Sequence, residues 1–414
     1  MSAASWLTTN KTYRTCGRRE EKRPSVCRSI AGESMKGCYQ TRCKKLYERM
    51  AEQGVDCLLV SPSPDLIYLT GLDLWADERL FAAVFSPGHA PFFVSNQLHA
   101  LTLEGMGCDD AVFWNDGEDA FRLLAAELDK RGILSAHLAV DNLLPAGLLV
   151  PLLRHFPDSQ ISLSAQLTAP LRMYKDVDEV QALRTACIKA SEALRITMRR
   201  GREWIGHTEA ELASALCSEM VRQGLAYGSA SVSAGKNSAV AHHLHDDTVI
   251  CDDTCMWIDF GSVYQHYNTD MTRVFYFGKP DPEYERLCEI ANQAREAGIM
   301  AAQVGAPLGA VDDAAREVIA SYGFGQYFTH RTGHGIGILN HEGPSAIHGE
   351  MTPIAPGMVF SVEPGIYIPG KYGVRVEDEI LIDESGRAIR LHDFPTDLMI
   401  FAKEEERENE GPEN

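Results

Sequence analysis

Acidic side chains sit where a soluble fold normally keeps only apolar ones. In the last third of the chain Asp259 lies in MWIDFG, Asp270 in NTDMTR, Glu363 in VEPG and Glu377 in VRVEDE, with His334 in TGHGIG between the two pairs. Each is embedded in an apolar or glycine-rich, strand-like segment. A buried charge is costly unless it is paired or bound to a metal. These residues therefore restrict the chain to folds that gather them around a compensating positive charge.

The flanking pattern predicts how they are gathered. MWIDFG runs into a turn and returns as QHYNTDMTRVFYF, which predicts an antiparallel hairpin with Asp259 and Asp270 near one another on one face. VFSVEPG and GVRVEDEILI, joined through IPGKYG, predict a second hairpin carrying Glu363 and Glu377. Along its return strand Arg375, Glu377 and Glu379 share one face, while Val374, Val376, Ile380 and Ile382 share the other. Two explanations compete for that polar face: metal ligation, or a buried salt-bridge network of Arg375 and Arg273 with the acids. The histidine loop tips the balance toward metal. Carboxylate oxygens with few nitrogens suit pairs of Mn, Fe, Co or Zn ions, which a carboxylate can bridge. The residues imply a dinuclear centre of hydrolytic type.

Histidines cluster as well. HRTGHGIGILNH holds His330, His334 and His341, and AVAHHLH holds His242, His243 and His245. The glycines of TGHGIG argue against a helix and let backbone approach a ligand closely. His243, His245 and His348 read as ordinary satisfied or surface groups, and Asp77, Glu78 and Arg79 of WADERL as solvated loop charges.

At 414 residues the chain is too long for one typical core and predicts two domains. A hydrophobic share of 45% beside 23% charged residues describes a globular protein. The net charge of −19 argues against nucleic acid as a partner. No apolar run reaches the roughly 18 residues of a membrane span. The 11 cysteines form no CxxC pair, and those at 16, 27, 38 and 43 fit no standard zinc spacing, so the expected setting is reduced and cytoplasmic.

Residues 1–34 read as a leader or extension, and KEEERENEGPEN as a frayed acidic end, with the tail at 406–414. Between them, QTRCKKLYERMAEQ predicts a helix, and VDCLLVSP, DLIYLTG, FAAVFSPG and PFFVS read as a run of strands. Helical stretches such as DAFRLLAAELDKRG then alternate with strands such as HLAVD, which predicts an α/β domain over 35–165. Pro170 and KDVDE read as a linker into a helix with Val180, Leu183, Cys187, Ala190 and Leu194 on one face. A second domain over 172–405 repeats itself faintly. GREWIGHTEAELASAL, with Thr208 and Glu211 as a capping box, and GAPLGAVDDAAREVIA both read as loop, cap and amphipathic helix, each followed by a histidine loop.

The ordered set of Asp259, Asp270, His334, Glu363 and Glu377 resembles the pita-bread (creatinase/aminopeptidase P-like) metallopeptidase superfamily, in its proline-peptidase branch of Xaa-Pro dipeptidase (prolidase) and aminopeptidase P. The resemblance covers about 172–402, and the preceding domain is similar, more loosely, to the creatinase/prolidase N-terminal domain. It implies an α/β N-terminal domain followed by an α+β pita-bread catalytic domain with an internal pseudo-two-fold repeat. It implies two divalent metal ions, Mn foremost with Co, Zn or Fe as alternatives. Asp259 would ligate one ion and Asp270 bridge both, His334 and Glu363 would belong to the second, and Glu377 would bridge. His242 would contact the scissile region, and His330 and His341 would bind substrate or stabilise the tetrahedral intermediate. Arg375 would lie near the substrate, and Glu363 would also shuttle a proton.

The implied reaction is attack of a metal-activated hydroxide on the bond before proline at the N-terminus of short peptides, by a homodimer. The compact N-terminal domain leans toward the dipeptidase, with the aminopeptidase as the alternative. A creatinase-like hydrolase and a non-enzymatic binding protein rank lower because the whole ligand set is present, a methionine aminopeptidase because it usually lacks the extra α/β domain, and a metal-dependent small-molecule lyase is a further alternative that substrate profiling separates.

Overall fold

The structure, a computed structural model, describes residues 33–403. The expected leader and the acidic tail lie outside the described residues, apart from Glu33 and Ser34, which begin the first helix.

The N-terminal half is built on a six-stranded mixed sheet in the order Ala111–Trp114, Phe92–Asn96, Ala82–Phe85, Cys57–Val60, His137–Val140, Gln160–Leu163. Its central strands are buried on both faces, so they read as continuous apolar runs. Leu58 and Val60 pack with Leu46, Met50 and Leu167, whereas Cys57 and Leu59 pack with Leu124, Leu128 and Leu152. Helices Glu33–Gln53 and Ala165–Arg172 thus contribute to one face, and Ala120–Lys130 and Ala146–His155 to the other.

Two local expectations are corrected. DLIYLTG is a helix, Pro64–Thr70, rather than a strand. Ser63 accepts from the Leu66 amide, Pro64 occupies the first turn where its missing N–H costs nothing, and Gly71 ends the helix in the left-handed region at φ 76°. Pro170 lies inside the helix Ala165–Arg172 instead of in a linker. The Gln166 carbonyl that a proline four residues on leaves unbonded accepts instead from Arg49 Nη2 at 3.1 Å and Gln53 Nε2 at 3.2 Å.

The C-terminal half shows its repeat plainly. Helices Val177–Met198 and Glu209–Arg222 precede a four-stranded sheet, and helices Pro282–Ala301 and Gly309–Ser321 precede a five-stranded one. Leu183, Cys187, Ala190 and Leu194 are fully buried, on the predicted face. The Thr208–Glu211 capping box is formed; the second copy, at Gly309, starts without a side-chain cap. The four-stranded sheet runs Met399–Phe401, Tyr267–Phe277, Thr254–Tyr264, Ser229–Ala234. The five-stranded sheet runs Glu342–Ala346, Gly333–Gly335, Val359–Val362, Asp378–Ile382, Ala388–Arg390. A two-stranded ribbon, Gly365–Ile368 with Tyr372–Arg375, extends the hairpin of the latter. No described helix is long and apolar enough to cross a membrane.

Candidate metal centre

Strand register brings the acids together. Asp259 pairs with Thr272 and Gly261 with Asp270, so Asp259 and Asp270 occupy diagonal positions on one face of the first hairpin. The second hairpin breaks between its two ladders. Val362 pairs with Asp378 and Gly365 with Arg375, which leaves Glu363 across from Glu377 at the break. Freed from the ladder, both carboxylates turn toward the first hairpin. His334 stands on the short strand Gly333–Gly335 with Ser345 opposite it. Gly333 is required there, because a Cβ would meet the Ser361 carbonyl oxygen at 1.8 Å.

Donor atoms of Asp259, Asp270 and Glu377 lie within 4.8 Å of one another, as do those of His334, Glu363 and Glu377 and those of Asp270, His334 and His341. Glu377, Asp270 and His334 each belong to two of these groups, a layout suited to two neighbouring cations. His334 Nε2 is 3.3 Å from Glu363 Oε1 and 3.9 Å from Asp270 Oδ2. All nine residues singled out from the sequence line one cavity of about 940 Å³: His242, Asp259, Asp270, His330, His334, His341, Glu363, Arg375 and Glu377.

The electrostatics fit a cation. Arg375 pairs with Asp259, yet four carboxylates share the space. Burial, then the charges of Asp259 and Glu363, push the Asp270 carboxyl well above the usual range. Burial, then Asp270, Glu363 and Asp259, do the same to Glu377. Burial would also raise Glu363, but its hydrogen bond to His334 and the charge of that imidazole outweigh it and bring Glu363 down to about 2. Glu377 Oε1 is buried without a hydrogen-bond partner. An orphaned oxygen among mutually repelling carboxylates is what a divalent ion relieves.

The competing salt-bridge explanation holds for one pair, Arg375 with Asp259; Arg273 and Arg295 pair instead with Asp378, and Arg390 reaches that same carboxylate at 3.2 Å, so Asp270, Glu363 and Glu377 are left without an arginine partner. His243 Nε2 sits 2.7 Å from Glu209, His245 Nδ1 2.7 Å from the Ala230 carbonyl and His348 2.6 Å from Asp313, so all three are satisfied elsewhere. Arg79 binds Asp77, Glu78 and Asp116.

Several residues around the acids carry no sequence signal of their own. Thr272 donates to Glu377 Oε2 at 2.7 Å and accepts from Arg375 Nε at 3.1 Å. Arg375 Nη1 donates to the Tyr367 hydroxyl at 2.8 Å, and that hydroxyl lies 2.9 Å from His330 Nε2. His330 Nδ1 lies 2.7 Å from the Arg331 carbonyl, which requires the proton on Nδ1 and makes Nε2 the acceptor from Tyr367. Burial lowers the His330 pKa and pushes Tyr367 up to about 12, so both stay neutral near pH 7. Asn340 donates to Asp270 Oδ2 at 2.9 Å, and Glu379 accepts from the Asp270 amide at 2.6 Å. Asn340 sits in the same loop as His334 and His341, a position that could have raised it as a candidate.

The model of metallopeptidase family M24 matches residues 181–384, and that of the creatinase/prolidase N-terminal domain matches 42–174. A probable dipeptidase, PepE, of Mycobacterium tuberculosis is 33% identical over 358 residues, covering 84% of this chain and 93% of that protein. The Xaa-Pro dipeptidase of Lactobacillus delbrueckii subsp. lactis is 32% identical over 348 residues, covering 83% and 94%. The crystal structure of a prolidase from Thermococcus sibiricus superposes with a TM-score of 0.80 at 30% identity, over 87% of this chain and 99% of that one.

Proposed function

We propose, from the premise that this chain belongs to metallopeptidase family M24 and carries a creatinase/prolidase N-terminal domain on a pita-bread catalytic domain, that it hydrolyses the Xaa-Pro bond of dipeptides. The observation that carries the reading is the pair of donor groups sharing Glu377 inside a cavity, in a chain similar to an Xaa-Pro dipeptidase over most of its length. Family membership implies divalent metal ions. Asp259, Asp270, His334, Glu363 and Glu377 would hold two such ions, Asp259 toward one, His334 and Glu363 toward the other, and Asp270 and Glu377 shared. Manganese is our assignment, and cobalt, zinc or iron suit the same oxygen-rich set. When bound, such ions supply Lewis acidity and a hydroxide near neutral pH.

The chain's own groups do the rest. Glu363, ionised at neutral pH, takes the proton released at attack and returns it to the leaving proline nitrogen. His341, its ring centroid 4.1 Å from that of His334, and His242 at the cavity rim bind the substrate backbone around the scissile carbonyl. His330, kept neutral and held between Tyr367 and the Arg331 carbonyl, faces the same space and forms part of the wall that positions the substrate. Arg375, held by Asp259, Thr272 and Tyr367, fixes the frame on which these groups are placed. All of these groups belong to residues 172–405, which follow the creatinase/prolidase-type domain at 35–165, and our reading assigns the protein to the cytoplasm as a homodimer.

Hydrolysis of Ala-Pro against Ala-Pro-Ala by the Mn-loaded protein tests the reading, with Glu363→Ala and Glu377→Ala as inactive controls. Cleavage of the dipeptide alone is expected. Release of Ala from the tripeptide would assign an aminopeptidase instead, and cleavage of neither by protein that holds metal would overturn the proline-peptidase reading.

A further inference from the structure

Behind the acid cluster, four polar side chains from four parts of the chain meet in the interior. Cys187 comes from the helix Val177–Met198, Thr269 from the strand Tyr267–Phe277, Glu379 from Asp378–Ile382, and His392 from just beyond Ala388–Arg390. All four are buried, and none lines the cavity. Their hydrogen bonds run in one direction. His392 Nδ1 accepts from the Glu379 amide at 3.4 Å, while Asp378 Oδ1, at 3.8 Å, is out of reach. The ring proton therefore sits on Nε2, and burial takes the His392 pKa down to about 3, so the ring stays neutral. Nε2 donates to the Thr269 hydroxyl at 3.1 Å, and that hydroxyl donates to Cys187 Sγ at 3.5 Å. The thiol donates to Glu379 Oε2 at 3.4 Å, and Glu379 Oε1 accepts from the Asp270 amide at 2.6 Å. Backbone N–H groups fix both ends of this chain, and each proton within it is used once.

We propose that Glu379, braced through Cys187, Thr269 and His392, is a positioning residue that holds Asp270 at a set distance from Glu377, an inference that rests on the dinuclear reading above. Asp270 and Glu377 are the carboxylates that belong to two donor groups each, and they stand on different hairpins. Glu379 lies two residues beyond Glu377, so its grip on the Asp270 amide ties the two hairpins together beside both ligands. Paired ions in such sites lie roughly 3.5–4 Å apart, which leaves little tolerance in the spacing of the carboxylates they share. Groups that orient ligands from behind govern how tightly the ions are held. The two contacts to sulfur are weak ones, so the hydroxyl and the carboxylate are the members to alter.

The test measures Mn binding by calorimetry, the electron paramagnetic resonance of the bound ions, and urea unfolding of the chelator-treated protein. It compares the wild type with Glu379→Gln, Thr269→Val and Thr269→Ser. Glutamine offers one acceptor to the two donors that face Glu379, and the chain cannot reverse, because His392 Nδ1 already accepts from the backbone. Thr269→Val keeps the shape but leaves the His392 Nε2 proton without an acceptor. Both changes should weaken binding of the Mn pair about 10-fold or more. Part of the magnetically coupled signal of the wild type should give way to that of isolated ions. Thr269→Ser keeps the hydroxyl and should bind as the wild type does. Unchanged Mn affinity in Glu379→Gln and Thr269→Val, with only unfolding affected, would reduce the chain to packing and overturn the proposal. A Thr269→Ser protein as impaired as Thr269→Val would do the same. None of these readouts needs turnover. A wild type that binds a Mn pair but leaves Ala-Pro intact would overturn the peptidase reading, while the variants still decide this one. A wild type that binds no pair would overturn both.

Discussion

Arg172 donates to Glu342 at 2.8 Å, and Glu342 is the residue that follows His341. Arg172 belongs to the segment matched by the N-terminal domain and Glu342 to the M24 match, so this contact ties the two together at the histidine loop. The other Arg172 nitrogen binds Asp65 at 2.7 Å, Lys175 lies 3.5 Å from Glu342, and Glu342 turns back to accept from the Leu339 amide at 2.9 Å. The loop presenting Asn340 and His341 is thereby clamped from behind.

Removing the clamp should cost stability and rate together. Arg172→Met takes the guanidinium from two buried carboxylates, Asp65 and Glu342, of which Glu342 keeps only Lys175 as a cation, and breaking a buried pair typically costs about 3–5 kcal/mol. Urea unfolding should show that loss. Combining Arg172→Met with Glu342→Gln should cost less than the sum of the single changes, because the second removes a charge that the first left unpaired. Additive losses would mean that the two side chains do not act as a pair.

The same carboxylate predicts a pH dependence. Burial works to raise the Glu342 pKa, but Lys175 and Arg172 overcome it and hold the group below its ordinary value. A folded value below the unfolded one, about 4.3, means the unfolded chain binds more protons in between. The stabilisation is present above that pH and is lost as pH falls through the folded value. With chelator-treated protein, the stability gap between wild type and Glu342→Gln should be full at pH 7 and narrow below about pH 4. A gap that widens in acid would contradict the sign.

Tyr367 links Arg375 to His330, so Tyr367→Phe should release the imidazole without touching the metal donors. Losing a hydrogen bond to a charged partner predicts a fall in kcat of about 10-fold or more, with metal content unchanged. Full activity would remove Tyr367 from the account; lost metal would make its role structural.

Asp259, Asp270, Glu363 and Glu377 were legible because carboxylates in apolar strands violate the ordinary burial pattern, and the turn residues between them fixed which strands pair. What surrounds them was not legible. Asn340 meets Asp270 across 70 positions of sequence, Arg172 meets Glu342 across 170, and Thr272 meets Glu377 across 105. No local periodicity encodes such contacts, since each depends on how two separately folded hairpins or domains dock. Tyr367 was hidden differently: in GIYI it reads as one more apolar strand residue, and its hydroxyl acquires meaning only beside His330. The segment Pro64–Thr70 reads as a strand in the sequence even though Ser63, Pro64 and Gly71 mark both ends of a helix, because LIYL also suits a strand.

The most direct test of the central claim is to titrate Mn into chelator-treated protein while measuring bound ions and release of proline from Ala-Pro. The account predicts about two ions per chain, turnover that appears as they bind, and neither in Glu377→Ala. Turnover that is full in the chelated protein, or unaffected by Glu377→Ala, would contradict it.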